Sequence, residues 1–150
     1  DQWAKSMAYS TLRVNGPLVL IKGVFELLYS ENRGAAFGIL QGKQWFFFLV
    51  AAAVVIAVLV FVAKLPSGSR YLPLYIAMIL LLSGAVGNLI DRAVRGFVVD
   101  FFYFNLIDFP IFNVADCYVV CAAGLLILLI GFFYKEDELS FLSSKKENEQ

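Results

Sequence analysis

The chain of 150 residues contains no histidine. That absence removes the Ser-His and Cys-His nucleophile pairs and the His-Glu-x-x-His zinc motif. Bond cleavage is then left to carboxylates or to a Ser-Lys pair, and Lys5 beside Ser6 is weak spacing for the latter. An excess of one charge is also missing, since 12 Lys and Arg balance 12 Asp and Glu. No nucleic-acid partner is implied, and no polybasic patch marks a membrane surface. Cysteine is limited to Cys117 and Cys121, four apart in an apolar run. They read as small buried packing residues. Two thiols without further ligands make a poor zinc site, and a disulfide within one helix is geometrically disfavoured. No metal or other cofactor is expected. No internal repeat and no Rossmann-type glycine motif occurs.

What is present is apolar. Hydrophobic residues make up 61% of the chain and the mean hydropathy is +0.78. A soluble domain holds about half apolar residues. Here the excess falls in blocks, which is the membrane pattern. One domain over residues 1–150 is the natural reading at this length. Residues 45–63 are nineteen positions without a charge, just enough at about 1.5 Å each to cross a ~30 Å hydrocarbon core. Residues 71–90 form a second span, ending in the small residues Ser83, Gly84, Ala85 and Gly87, which let helices approach closely. Residues 114–134 form a third. Residues 135–150 are charged and read as a solvated tail on the cytoplasmic side.

Residues 1–16 have helical spacing, with Asp1 and Lys5 able to pair at i, i+4. They read as the end of a first membrane helix whose apolar half is missing, which makes four spans in all. The basic turn at 64–70 would then be cytoplasmic, consistent with positive-inside. Residues 18–42 hold short β-prone runs broken by glycines and read as a small sheet-like element at the membrane surface. The expected fold is an all-α membrane protein, a four-helix bundle with a small extramembrane β cradle.

The chemistry concentrates near one end of the spans. Asp100 and Asp116 lie sixteen residues apart between apolar runs. A charge near a bilayer is expensive and is a functional candidate for that reason. Two close carboxylates share a proton, so that one activates water while the other donates. Asn113 is a candidate helix cap with Asp116 in the first turn, an arrangement that also suits a purely structural acid. Asn88, Asp91 and Arg92 fall on one helical face. They read equally as a helix-end polar cluster, with Asp91 neutralised by an arginine, or as a face that orients the acids. Asp108 reads as solvated and without polar company. Asn32, Arg33 and Gly34 suit a turn. The rival classes are a small transporter or channel subunit and a structural membrane subunit. The first fits less well, because the polar residues cluster at one interface and the span centres carry no charge; the second would need no acidic pair.

Five motifs then occur in order: Asp1-Gln2-x-x-Lys5, Asn32-x-Gly34-Ala35-Ala36-Phe37, Gly87-Asn88-x-x-Asp91-Arg92, Val99-Asp100-Phe101 and Phe112-Asn113-x-Ala115-Asp116. Together they resemble the lipoprotein signal peptidases (signal peptidase II), bacterial aspartic proteases of the inner membrane. The resemblance implies four transmembrane helices with a β cradle and a periplasmic loop over the site, and a loop at 101–112, rich in Phe and Tyr, would form a clamp with the 18–42 element. It implies Asp100 and Asp116 as the catalytic dyad, with Asn32, Asn88, Arg92 and Asn113 as the polar groups around it. Asp1, Lys5, Gly34, Asp91 and Ala115 belong to the same motifs as supporting positions. The implied partners are diacylglyceryl-modified prolipoproteins and membrane lipids, the enzyme being a monomer with its site on the periplasmic face, and the small residues at the end of the second span would leave room for a substrate helix.

Overall fold

The computed structural model describes residues 1–34 and 44–142. The expectations for 35–42, including Ala35, Ala36 and Phe37, and for the tail beyond 142 lie outside the described residues. Helix α1 (Gln2–Met7) continues through a π-helical turn at Ala8–Leu12 into a last helical turn, α2 (Arg13–Asn15). Strands β1 (Leu18–Ile21) and β2 (Phe25–Asn32) follow. Three long helices are α3 (Gln44–Lys64), α4 (Leu72–Arg95) and α5 (Val114–Leu128), the last extended by a π turn at Leu129–Phe133. Strand β3 (Val98–Tyr103) joins α4 to the segment before α5. Three helices among the described residues are long and apolar enough to cross a membrane: Trp45–Lys64, Ser69–Arg95 and Val114–Phe133. The fold is thus mostly helical, with three candidate spans and a small open antiparallel sheet in the order β1-β2-β3.

Each span has a sequence reason. Helix α3 is apolar all round and exposes Trp45, Leu49, Ile56 and Leu59, as expected of a helix that faces hydrocarbon. Helix α4 is the most buried of the three and packs between α3 and α5. It runs five residues beyond the expected end at Ile90, because Gly96 takes the left-handed conformation (φ 74°) and its N–H caps Arg92 O. A glycine adopts that geometry without steric cost. Asn113 caps α5, and Pro73 lies in the first turn of α4.

The small residues of α4 hold α5, not a substrate helix. A Cβ at Gly84 would lie 2.5 Å from Ala115 O, and one at Gly87 would lie 2.7 Å from Asp1 Oδ2. The room expected there is already filled by α5 and by the N-terminal helix. What stays open beside Gly84 and Ala85 is a cleft of about 230 Å³ against Phe47, Val50 and Val54 of α3.

Two other expectations change. Residues 101–103 are strand, where a loop over 101–112 is expected. They pair with β2 through Glu26 opposite Tyr103 and Leu27 opposite Phe102, which satisfies backbone that the interface would leave unpaired. The tail also packs onto the bundle over residues 135–142. Its helical turns at Asp137–Leu142 are held because Arg70 donates to both oxygens of Glu138 (2.7 and 3.0 Å) and to Phe133 O (2.8 Å). Tyr71 donates to Glu138 O at 3.0 Å, and Phe141 packs edge-on against Phe61 and Tyr71. The solvated tail expected from residue 135 is therefore corrected over residues 135–142.

The close approach of α4 and α5 yields the first expectation. Gly84→Ala forces backbone atoms apart, and overpacking of this kind costs about 1–3 kcal/mol. A lower unfolding midpoint in detergent, with unchanged helix content in the folded state, is the expected measurement.

Candidate functional site

Strand β3 fixes the first acid. Its register sets Asn32 opposite Val98 and Ser30 opposite Asp100, so Asn32 and Asp100 share one face of the sheet. Asn32 Nδ2 reaches diagonally to Asp100 Oδ2 at 2.9 Å, while Asn32 Oδ1 accepts from Gly34 N at 3.0 Å. The second contact sets which end of the Asn32 amide faces the acid.

The second acid is brought to the first by a return of the chain. After β3 the backbone leaves the sheet and comes back at Phe112, which bridges to Phe102: Phe102 N donates to Phe112 O (2.8 Å) and Phe112 N to Phe102 O (3.1 Å). The next residue, Asn113, is fully buried and starts α5. It forms a capping box with Asp116, since Asn113 Oδ1 accepts from Asp116 N at 3.1 Å and Asp116 Oδ2 accepts from Asn113 N at 3.0 Å. Such reciprocal bonds satisfy two donors at the helix start. The free Nδ2 of Asn113 then donates to Asp100 Oδ1 (2.6 Å) and to Asn88 Oδ1 (3.1 Å). Asn88 Nδ2 in turn donates to Asp116 Oδ1 at 2.8 Å. All four oxygens of Asp100 and Asp116 therefore accept from uncharged amide groups.

Asn88 cannot turn over without loss. Its Oδ1 also accepts from Lys5 Nζ at 2.8 Å, so two donors hold its carbonyl end. Lys5 is fully buried and pairs with Asp1 (2.9 Å, the expected i, i+4 pair) and with Asp91 (3.1 Å). Asp1 Oδ1 accepts from Ala115 N at 2.9 Å, which ties the N-terminal helix to the first turn of α5.

Asp91 turns away from the two acids. It lies fully buried among Lys5, Arg95 Nη1, Gln2 Nε2 (3.2 Å) and Val99 N (3.1 Å). The arginine that neutralises it is Arg95, four residues on, and its lysine partner comes from α1. Arg92, on the other side, donates to Asn88 O (3.3 Å) and sits over the Phe47 ring at 5.4 Å. Asp108 has polar company after all: Tyr103 Oη donates to it at 2.7 Å, and its backbone is left-handed at φ 47°.

Asp100 and Asp116 open onto one groove of about 670 Å³. Asn32, Gly34 and Arg92 line its polar end, and Phe109, Pro110, Ile111 and Phe112 line one apolar wall. The other wall is α5, through Cys117, Val120 and Cys121. The cysteines are thus not core packing: Cys121 is exposed, Cys117 is half-buried, and both thiols are free. A signal for this lies in the sequence, because 116, 117, 120 and 121 form one helical stripe that begins at the acid. Phe47, Gln2 and Arg95 also carry parts of the site that spacing alone does not single out. Among the described residues no group of three or more His, Cys, Asp or Glu is arranged to hold a metal ion.

Burial pushes the Asp100 carboxyl up from its ordinary value to about 7. The Asn32 amide opposes that rise, the Asp116 charge adds to it, and the Asn113 amide and the Lys5 charge oppose it. Asp100 therefore keeps its proton in the folded protein across a range where the unfolded chain, with an aspartate near about 4, has lost it. The folded state binds the extra proton, so this contribution to stability is whole below about pH 4 and is lost as pH rises toward 7. A carboxyl C=O band in infrared difference spectra that titrates near pH 7 and vanishes in Asp100→Asn is the expected observation. For the network behind the acids, Lys5→Met strands Asp1 and Asp91 with Arg95 as their one remaining cation among the contacts described. Breaking a buried ion pair in this way costs about 3–5 kcal/mol, to be read as a large drop in the unfolding midpoint.

Comparison with known proteins shows the family. A model of the signal peptidase (SPase) II family matches residues 1–133. The lipoprotein signal peptidase of Streptococcus thermophilus (strain CNRZ 1066) is 42% identical over 130 residues, covering 87% of this chain and 84% of that protein. That of Brevibacillus brevis is 44% identical over 128 residues, with 85% of each chain covered. That of Bacillus subtilis (strain 168) is 36% identical over 152 aligned positions, covering 100% of this chain and 92% of its own length. A solved bacterial membrane enzyme at 2.3 Å resolution superposes with a TM-score of 0.76 at 34% identity, over 100% of this chain and 87% of that one. A second, at 1.9 Å, gives 0.74 at 35% identity over 87% and 84%. With a family model over nearly the whole chain, and relatives well above 30% identity along most of their length, the chain belongs to the signal peptidase II family and is an aspartic peptidase.

Proposed function

We propose that the chain removes signal peptides from bacterial prolipoproteins, cutting before the diacylglyceryl-modified cysteine, with Asp100 and Asp116 as the catalytic dyad. The observation that carries the reading is the shared groove: two carboxylates, linked through the Asn113 amide, face one apolar cavity. The signal sequence of a prolipoprotein is itself a hydrophobic helix, and the modified cysteine carries acyl chains. An apolar groove that ends in two acids suits both.

The division of labour follows from the environments. Asp100, held protonated by burial toward neutral pH, donates its proton to the scissile carbonyl oxygen. Asp116 stands at the start of α5, in the capping box with Asn113. It takes a proton from the attacking water. The water oxygen bonds to the carbonyl carbon and a gem-diol forms. It collapses as the amide nitrogen is protonated and the C–N bond breaks. The pair titrates as a unit, so the roles describe the reacting state of the dyad. Asn32, Asn88 and Asn113 hold the carboxylates in orientation, and Lys5 acts behind Asn88 with Asp1 and Asp91. Arg92 stands at the polar end of the groove, within reach of a substrate main-chain carbonyl.

The reading extends to the cell. The enzyme crosses the bacterial inner membrane several times, with α1 as the end of a fourth membrane helix and residues 18–32 within the cradle. The groove opens at the periplasmic face, where the lipid-modified substrate lies.

The test uses purified enzyme in detergent with a diacylglyceryl-modified prolipoprotein. Asp100→Asn and Asp116→Asn, each folded, are expected to lower the cleavage rate by about 10³-fold or more, since loss of either half disables the unit. Cleavage that survives either change removes that residue from catalysis. In the parent enzyme the rate is expected to fall as pH rises through about 7, where Asp100 loses the proton it donates.

A further inference from the structure

The stripe that carries Asp116 along α5 also carries two thiols. Residues 116 and 120 form one row of the helix and 117 and 121 the row beside it. Cys117, Val120 and Cys121 line the groove together with both acids. Neither thiol is in a disulfide, and Cys121 is exposed. Two cysteines at i, i+4 on an unbent helix do not meet disulfide geometry, so they do not quench one another. A cavity of about 670 Å³ is within the size range of small-molecule sites.

We propose that Cys117 and Cys121 form a covalent modification site for neutral Michael acceptors that carry an alkyl chain, and that alkylation there closes the groove to substrate. The second half rests on the groove being the substrate site.

The selectivity follows from the walls. Phe109, Pro110, Ile111 and Phe112 line the groove with the thiols, while Arg92 lines its polar end with Asn32 and Gly34, so a charged reagent loses hydration against the apolar wall. An anionic one is also repelled by the Asp116 carboxylate, one residue from Cys117. An alkyl chain gains by leaving water for the same apolar walls. The step balances without a further reactant: the thiol adds across the activated C=C, a bond forms between Sγ and the β-carbon, the π bond breaks, and the thiol proton ends on the α-carbon. Nothing is oxidised or reduced and no group leaves. The adduct then fills the groove beside the acids.

The test treats the full chain in detergent with N-octylmaleimide and, in parallel, with a sulfonate-bearing maleimide. Adducts are read by intact mass and peptide mapping. The expected result is rapid alkylation of Cys121, then Cys117, by the octyl reagent and slow reaction with the sulfonate. Cleavage of the diacylglyceryl prolipoprotein by the parent is expected to fall at least about tenfold. Cys117→Ser and Cys121→Ser, each compared with its own untreated activity, are expected to lose less. Prolipoprotein bound to the Asp100→Asn enzyme is expected to slow alkylation. The proposal is overturned if neither thiol reacts while the denatured chain takes up two equivalents, or if both react and cleavage is unchanged. Failure of the dyad reading is a separate result, read from cleavage by untreated Asp100→Asn, whereas alkylation is read by mass.

Discussion

The side chain of Asn113 is the joint on which the site depends. Its oxygen is committed to the backbone of α5 and its nitrogen to Asp100 and Asn88, so one amide ties a helix start to a strand and to a second helix. Because it is fully buried, none of those bonds can be replaced by water at low cost. Everything that keeps two acids side by side in apolar surroundings passes through groups of this kind: uncharged donors whose other ends are already occupied. Asn32 is set by Gly34, and Asn88 by Lys5. The charges that balance the network stand one layer back, where Lys5 and Arg95 meet Asp1 and Asp91. That separation matters to the chemistry. A cation in direct contact with Asp100 would favour its anion, whereas amides leave burial to hold the proton.

The sheet and the bundle contribute differently. Strand β3 supplies rigidity for Asp100 and shares its face with Asn32, while the bundle supplies the approach of α4 to α5 that brings Asn88 under Asp116. Glycines at 84 and 87 allow that approach. The far end of the bundle is closed independently by Arg70, Glu138, Tyr71 and Tyr134, so the ends of the helices opposite the site are held by polar contacts as well as by apolar packing.

Much of this was legible in the sequence. The three apolar spans declare themselves by length, the Asn113 cap by its spacing to Asp116, and the Asp1–Lys5 pair by its i, i+4 separation. The five motifs together also named the family. What spacing could not show was direction. Asn88, Asp91 and Arg92 sit on one face by helical arithmetic, yet Asp91 looks toward Lys5 and Arg95 and away from the groove, because that is where its cations are. The small residues of α4 advertised a close neighbour without saying which, and the neighbour proved to be α5. Cys117 and Cys121 look like core in the sequence because they lie in an apolar run. In a membrane helix, apolar neighbours do not distinguish the interior from a groove wall. Strand β3 was obscured because its partner, β2, lies some seventy residues earlier in the chain.

The separations within the network have a consequence for biosynthesis. Asp100 is held by Asn32, 68 residues upstream, and Asp116 by Asn88, 28 residues upstream. Asp1 bonds to Ala115 across 114 residues. A nascent chain that has not yet made α5 lacks Asp116 and the Asn113 joint, so neither acid has its full set of amide partners. The network closes only when α5 has packed against α4 and β3, which makes the polar cluster a product of assembly and not of any one segment.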